Sequence, residues 1–315
     1  MFNPLKLHVV ALNLKRGGYD RDTRQHDHGK LFAMLSALDS PPHILFLSEC
    51  TYYTDPMIQS APLFDVKETL ASLWGYDEDE AGNTLPKTNY EAFISEVHGS
   101  VNVPGLFIDP RYVRPLRWYG ETQRRSLANS LTARINGHDI QLKSVHWNGS
   151  GGATVFDQQA SQDGQMAQHS AVIGGDFNAT SGHPKEIVPA DWGQRCDDQG
   201  QSQKRSQKGV RGPNGVWKVN TDAIDSFLEH GWWDAGERAG DFTVTVNPWV
   251  DGGSGMRIDR IMVSDRTPAR LVPGSYKVHV PKPGDKELSD HRMVSCWLEF
   301  APTGGATRTA EGTRP

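Results

Sequence analysis

Four strand-like apolar runs in this 315-residue chain end on a polar side chain of the kind that does chemistry, and this constrains the fold more than any other feature. Leu5, Leu7, Val9 and Ala11 alternate with Lys6, His8 and Val10, a period of two that predicts a strand ending at Asn13. His43–Ser48 (HILFLS) is almost wholly apolar, as suits a strand buried on both faces, and stops at Glu49. Two arms around Asn136-Gly137, Ser126–Arg134 and Asp139–Val145, read as a hairpin, and the second ends at His146. Ala171–Ile173 leads into Gly174-Gly175-Asp176-Phe177-Asn178. A carboxylate directly after a buried strand is costly without a partner. Loops at strand ends, however, are where rigid scaffolds present reactive groups.

The rest of the chain fills in around these runs. Lys30–Leu38 has Leu31, Phe32, Leu35 and Leu38 at helical spacing, stopped by Asp39-Ser40-Pro41-Pro42. Residues 55–89, with an acidic turn at Asp77–Glu80, read as irregular loops and short helices. Tyr90–Val97, Gly105–Ile108 and Leu116–Tyr119 are candidate strands. Residues 193–220, rich in Gln, Ser, Gly and cations, read as a surface excursion. Thr221 is expected to cap a short helix carrying Ile224, Phe227 and Leu228, with Gly231 past its end. Arg257–Ser264 and Met293–Phe300 are the last expected strands. One domain is expected over residues 1–300, with 301–315 a disordered tail.

Composition narrows the function. Net charge is −5, from 33 basic and 38 acidic residues, which excludes a globally basic nucleic-acid glove. A polyanion would need a local patch or a bound cation. Cys50, Cys196 and Cys296 are too few and too scattered for a disulfide framework or a zinc site. No apolar run approaches membrane-spanning length, and the first residues lack the pattern of a secretory leader. A cytoplasmic, reduced, monomeric protein is expected.

Two later motifs join the strand-end residues: Asp259, and the triplet Ser289-Asp290-His291. Singly, each has a plainer reading. Asn13 is a common turn residue, His146 a packed or surface histidine, and Gly174-Gly175 a source of positive φ. Asp259 would pair with a neighbouring Arg, and Ser289-Asp290-His291 would cap a helix. Jointly they bring carboxylates, carboxamides and imidazoles together, and so many hard oxygen donors suit Mg²⁺ or Mn²⁺ more than zinc.

In combination, Ala11-Leu12-Asn13, Leu47-Ser48-Glu49, Ser144-Val145-His146, Gly174-Gly175-Asp176-Phe177-Asn178-Ala179, Arg257-Ile258-Asp259-Arg260-Ile261 and Ser289-Asp290-His291 resemble the endonuclease/exonuclease/phosphatase superfamily. That group includes pancreatic-type DNase, apurinic/apyrimidinic endonucleases, neutral sphingomyelinases and inositol polyphosphate 5-phosphatases. The segment Phe227–Ala235 is similar to the helix before the group's late strands. The resemblance implies an α/β (α+β) fold: a two-sheet β-sandwich flanked by helices, four-layered and DNase-like, with the site at one edge of the sheets. It also implies hydrolysis of a phosphate ester by in-line attack of water, with Mg²⁺ (or Mn²⁺) as cofactor.

The same resemblance assigns roles. Glu49 is the expected metal ligand, with Asn13 beside it and Asp290 as a further ligand of the metal or its water. Asp176 would orient or deprotonate the attacking water, or hold a second metal. Asn178 would donate to a phosphate oxygen, and His291 would contact the phosphate with Asp259 fixing its tautomer. His146 resembles a histidine of the DNase-like and sphingomyelinase-like branches that the apurinic-endonuclease branch lacks, and is the candidate general acid. Whether Asp176 or a histidine is the base stays open. Arg125 matches a phosphate-contacting arginine before the hairpin; its plainer reading is a solvated cation.

The substrate expected first is DNA or RNA, with Lys204, Arg205, Lys208 and Arg211 lying along its backbone. The plainer reading of those four is an exposed soluble loop. A small nucleotide, sugar phosphate or lipid head group is the alternative, and a non-catalytic binding module the third. His26-Asp27-His28 reads as a solvated turn, and Trp232-Trp233 as core.

Overall fold

The alternating run at the start forms β1 (Leu5–Asn13), and the chain then builds two large sheets with helices on their outer faces, beside two small two-stranded ones. The computed structural model describes residues 3–303 apart from 55–61, 79–81, 83, 96–101, 121–128, 148–152, 247–254 and 283–287. After β1 come α1 (Gly29–Leu35), β2 (Ile44–Ser48), α2 (Pro62–Leu73), β3 (Tyr76–Glu78), β4 (Thr84–Pro86), β5 (Glu91–Ile94), β6 (Gly105–Ile108) and β7 (Arg114–Tyr119). The middle holds β8 (Ser130–Ile135), β9 (His138–His146), α3 (Ala153–Gly164), β10 (Ala171–Asp176), α4 (Trp192–Asp198), α5 (Ser202–Lys208), β11 (Gly209–Arg211) and β12 (Trp217–Val219). The last part holds α6 (Asp222–Glu229), β13 (Trp232–Asp234), α7 (Ala235–Ala239), β14 (Asp259–Ser264), β15 (Ala269–Leu271), β16 (Lys277–Val278) and β17 (Val294–Phe300).

One sheet runs β15-β17-β1-β2-β6-β5, with β16 also on β17; the other runs β13-β14-β10-β9-β8-β7. β1 and β2 are parallel, as are β9 and β10. Alternation along β1 explains the layering. Leu7, Val9 and Ala11 face a core between the sheets, with Phe46, Leu142, Val172 and Ile261. Val10 and Leu12 face the opposite way, against Leu31 and Leu35 of α1 and Val66 and Leu70 of α2. On the second sheet, Ile173 and Met262 meet Phe156 of α3 and Phe227 of α6. This is the four-layer, helix-flanked sandwich the sequence resemblance implied.

Register sets the site. Asp176 lies opposite His146 on β9 and Asp259 on β14, and Asn13 lies opposite Ser48 on β2. The sheets approach tightly beside these ends. A Cβ on Gly174 would stand 2.2 Å from Phe46 Cδ2 of the facing sheet. Gly175 has φ +135°, and a Cβ there would meet the Val145 carbonyl oxygen at 2.2 Å. The Ser48 hydroxyl donates to that carbonyl at 2.9 Å and accepts the Asp176 N–H at 3.0 Å, so it bridges the two sheets.

Several expectations change. Residues 62–86 are more regular than their mixed composition suggested: they form the twelve-residue helix α2 and the β3–β4 hairpin. The excursion at 193–220 is not merely surface. Trp192, Cys196 and Val219 are buried with Val246, Met256 and Ile258, which gives it a small core of its own. The Thr221 side chain makes no cap hydrogen bond; Asn220 Oδ1 instead accepts the Asp222 N–H at 3.1 Å. His26 and His28 do not form a solvated turn. Both are half-buried, with rings that stack at 5.4 Å and pack edge-on to Tyr53, while Asp27 between them is exposed. Trp232 and Trp233 are both buried, as expected. The three cysteines are free and buried. Of the expected tail, 304–315 lies outside the described residues, as does the start of the hairpin's first arm.

Gly174→Ala should lower stability by about 1–3 kcal/mol, since Phe46 is fully buried and has no room to yield. Denaturant unfolding tests this, and Phe46→Leu in the same chain should recover part of the loss.

Candidate active site at the strand ends

Asn13 is fully buried at the end of β1, and its amide joins the two sheets. Nδ2 donates to Glu49 Oε1 at 3.2 Å and to Asp176 Oδ2 at 3.0 Å. Its orientation is settled locally, because Oδ1 accepts the Lys15 N–H at 2.9 Å and only the oxygen can do so. The next N–H, from Arg16, donates to Glu49 Oε2 at 2.7 Å. Lys15 and Arg16 both have positive φ, as does Glu49 at 58°. Strained backbone of this kind persists only where surrounding contacts over-determine it. Sequence reading missed this turn, since positive φ at Lys and Arg has no residue signature.

Asp176 is the hub. Its Oδ1 accepts the Asn178 N–H at 2.7 Å. Its Oδ2 accepts the Asn13 amide, and the Asn178 amide at 3.3 Å. His146 Nε2 stands 3.7 Å from Asp176 Oδ2 and 3.6 Å from Glu49 Oε1. The other ring nitrogen of His146 lies 3.3 Å from the Asn102 carbonyl oxygen, which favours Nδ1–H as the donor there. Asn178, at φ 50°, donates its remaining amide N–H to the Trp147 carbonyl at 2.8 Å and accepts from Lys208 Nζ at 2.7 Å.

His291 approaches from the other side. Nδ1 lies 2.9 Å from Asp259 Oδ2, and Nε2 lies 3.8 Å from Asp176 Oδ2. The Ser289 hydroxyl donates to the Asn13 carbonyl at 2.8 Å and accepts the His291 N–H at 3.2 Å, so it ties the triplet to the end of β1 rather than capping a helix. Burial alone would lower the His291 pKa, but the facing carboxylates of Asp259 and Asp176 outweigh it and push it up to about 10. Burial pushes Asp259 up in turn, against the opposing pull of His291. The pair therefore keeps one proton between them.

Asp259 does not pair with its neighbouring arginines. Arg257 and Arg260 turn away into a fully buried quartet with Asp234 and Glu186, at 2.5–3.0 Å. The Thr245 hydroxyl accepts the N–H groups of Ile258 and Asp259 at 3.0 Å each. Together these contacts anchor the start of β14 and hence Asp259.

The structure therefore brings Asn13, Glu49, His146, Asp176, Asn178, Asp259 and His291 into one network. Asp290 stands at its rim, 3.3 Å from Lys15 Nζ. Arg125 lies outside the described residues. The four excursion cations do not form one track. Lys208 is buried against Asn178, Arg205 pairs with Asp197 and lies over Trp217, Arg211 Nε donates to the Gly215 carbonyl, and Lys204 is half-buried on α5. Sequence patterning shows where cations cluster but not which way each faces.

The donor set fits a hard divalent cation. Asp176, Asp259 and His291 bring possible ligand atoms within 4.8 Å of one another, and with His291 protonated the two carboxylates are the donors of that group. The carboxylates of Glu49, Asp176, Asp259 and Asp290 are opposed here by Lys15, Lys208 and the proton of the His291 pair. An anionic ester entering such a site needs a cation to offset them. In protein without bound metal, the His291 ring signals should stay fixed between about pH 5 and 8 by NMR, where an ordinary histidine titrates. Asp259→Asn should bring the midpoint down into that window.

A model of the Endonuclease/Exonuclease/phosphatase family matches residues 11–291. No curated protein sequence matches the chain. Solved structures share the fold at low identity. An endonuclease/exonuclease/phosphatase from Bacteroides vulgatus matches with TM-score 0.58 and 12% identity, over 94% of this chain and 100% of that one. An AP endonuclease from Archaeoglobus fulgidus matches with TM-score 0.54 and 14% identity, over 92% and 98%. A 3′ phosphatase from Neisseria, solved with a product DNA hairpin, matches with TM-score 0.52 and 15% identity, over 92% and 98%. With its fold and the ordered motifs matched over nearly all its length, the chain belongs to the endonuclease/exonuclease/phosphatase family, whose members hydrolyse phosphoester bonds and generally use divalent metals.

Proposed function

We propose that the chain is a divalent-cation-dependent phosphodiesterase that cuts DNA or RNA by in-line attack of water. The observation that carries this is the single hydrogen-bonded network joining Glu49, Asn13, Asp176 and Asn178, with His146 and the Asp259–His291 pair against the same Asp176 oxygen. Phosphodiester hydrolysis requires that phosphate charge be neutralised, water deprotonated and the leaving oxygen stabilised. Mg²⁺ or Mn²⁺, held by Glu49 with Asn13 and Asp290 nearby, would supply the charge neutralisation. Asp176 orients the attacking water and takes its proton. His291, kept protonated by Asp259, donates a hydrogen bond to a phosphate oxygen. His146, with Nδ1–H directed at the Asn102 carbonyl, would have to carry a second proton on Nε2, which it would pass to the leaving oxygen. Asn178 acts differently from the expectation: both of its amide hydrogens are engaged, so it steadies Asp176 instead of donating to phosphate.

One observation favours a smaller phosphorylated substrate as the second reading. Of the excursion cations Lys208 is turned inward and Arg205 is paired with Asp197, which leaves fewer of them for a polymer backbone than the sequence suggested.

EDTA should abolish hydrolysis and Mg²⁺ or Mn²⁺ restore it; full activity in chelator would reject the metal requirement. His291→Ala and Asp176→Asn should each lower kcat by about 10²-fold or more. Plasmid, single-stranded oligonucleotide, RNA and a phosphomonoester panel separate the two substrate readings. A polymer substrate should also lose affinity steeply with salt.

A further inference from the structure

Lys208 sits where a lysine is seldom found. It is the last residue of α5 and only 7% exposed, and lysine is almost never buried so far without a partner. Its Nζ donates to Asn178 Oδ1 at 2.7 Å, the length of a charge-assisted hydrogen bond. The backbone there is pinned. The Asn220 N–H donates to the Lys208 carbonyl at 2.9 Å. A Cβ on Gly209 would stand 2.6 Å from the Arg205 carbonyl oxygen and 2.9 Å from the Trp192 ring, so the chain turns out of α5 in a space fitted to glycine. The excursion thus delivers one cation inward, while Arg205 and Arg211 stay with Asp197 and the Gly215 carbonyl.

That contact decides which way the Asn178 amide faces. An ammonium only donates, so the amide oxygen turns to Lys208 and the nitrogen to the Trp147 carbonyl and Asp176 Oδ2. A flipped amide would set N–H against ammonium and oxygen against both a carbonyl and a carboxylate. The backbone N–H of Asn178 already holds Asp176 Oδ1, so amide and carboxylate share one turn.

We propose that Lys208 is a positioning residue for the hydrolytic reaction: its ammonium fixes the Asn178 carboxamide, and through it the Asp176 carboxylate. This rests on the reading of Asp176 as the group that orients and deprotonates water. The residue is therefore not a contact to the backbone of a polymer, and its loss should be felt by a small diester as much as by a long one.

Two measurements test it. The first is proton exchange of the Asn178 side-chain amide, followed by NMR in metal-free protein and identified by its loss in Asn178→Ala. Lys208→Met should speed this exchange about tenfold or more, and Lys208→Arg should restore it to within about threefold. The second is turnover of bis(p-nitrophenyl) phosphate in Mg²⁺. Lys208→Met should lower kcat about tenfold or more with KM within about twofold. Added to Asn178→Ala, it should cost less than about twofold further, because the two residues act as one unit. An unchanged Asn178 amide in Lys208→Met, or a kcat within about twofold of the unaltered protein, overturns the proposal. Unaltered protein inert toward every diester would instead reject the hydrolase reading, and amide exchange would still show whether Lys208 sets Asn178.

Discussion

The Ser48 hydroxyl, shared between the Asp176 N–H and the Val145 carbonyl, is the contact on which the site depends. It holds the ends of two sheets at hydrogen-bonding distance, where Gly174 leaves room for Phe46 of the facing sheet and Gly175 leaves room for the Ser48 hydroxyl, 3.1 Å from where its Cβ would stand. Without that approach, Asn13 and Glu49 on one sheet would not reach Asp176 on the other. Packing and chemistry are thus one problem here: Phe46 in the shared core and the Asn13 amide at its edge both require the same close spacing.

Placing several carboxylates and two imidazoles at one buried edge carries an electrostatic cost, which the protein meets in layers. Backbone N–H groups from Lys15, Arg16 and Asn178 satisfy oxygens of Asn13, Glu49 and Asp176. Asp259 shares a proton with His291, while the neighbouring arginines find Asp234 and Glu186 in a separate, fully buried quartet. In that quartet burial alone would raise the Asp234 carboxyl, but Arg257 and Arg260 hold it well below the usual carboxylate range. The excess negative charge that remains at the strand ends suits a divalent cation and, with it, a phosphate.

Much of this was legible in residue order. β1 announced itself by alternation, β2 by an almost wholly apolar run and β8–β9 by the Asn136-Gly137 turn, and the residues at the ends of β1, β2 and β9 are among those that converge. The helix Pro62–Leu73 was missed: Leu63, Val66, Leu70 and Leu73 do recur at helical spacing and pack on the core beneath α1, but the polar residues between them made the stretch read as mixed. The direction of Lys208 was also hidden. In sequence it stands in a run of cations and reads as solvated, whereas Trp192 and Gly209 fold that run over a small core and turn it inward. Nor could sequence show that Asn178 spends both amide hydrogens internally, since that depends on the Trp147 carbonyl from a neighbouring strand end.

Strand ends from both sheets are proposed to form one cation-dependent site. Anomalous diffraction from crystals equilibrated with Mn²⁺ tests it most directly. Mn²⁺ held by Glu49 at the end of β2, with Asn13 and Asp290 nearby, should give an anomalous peak there. Saturating Mn²⁺ with no peak there, or with its strongest peak among other residues, would contradict it.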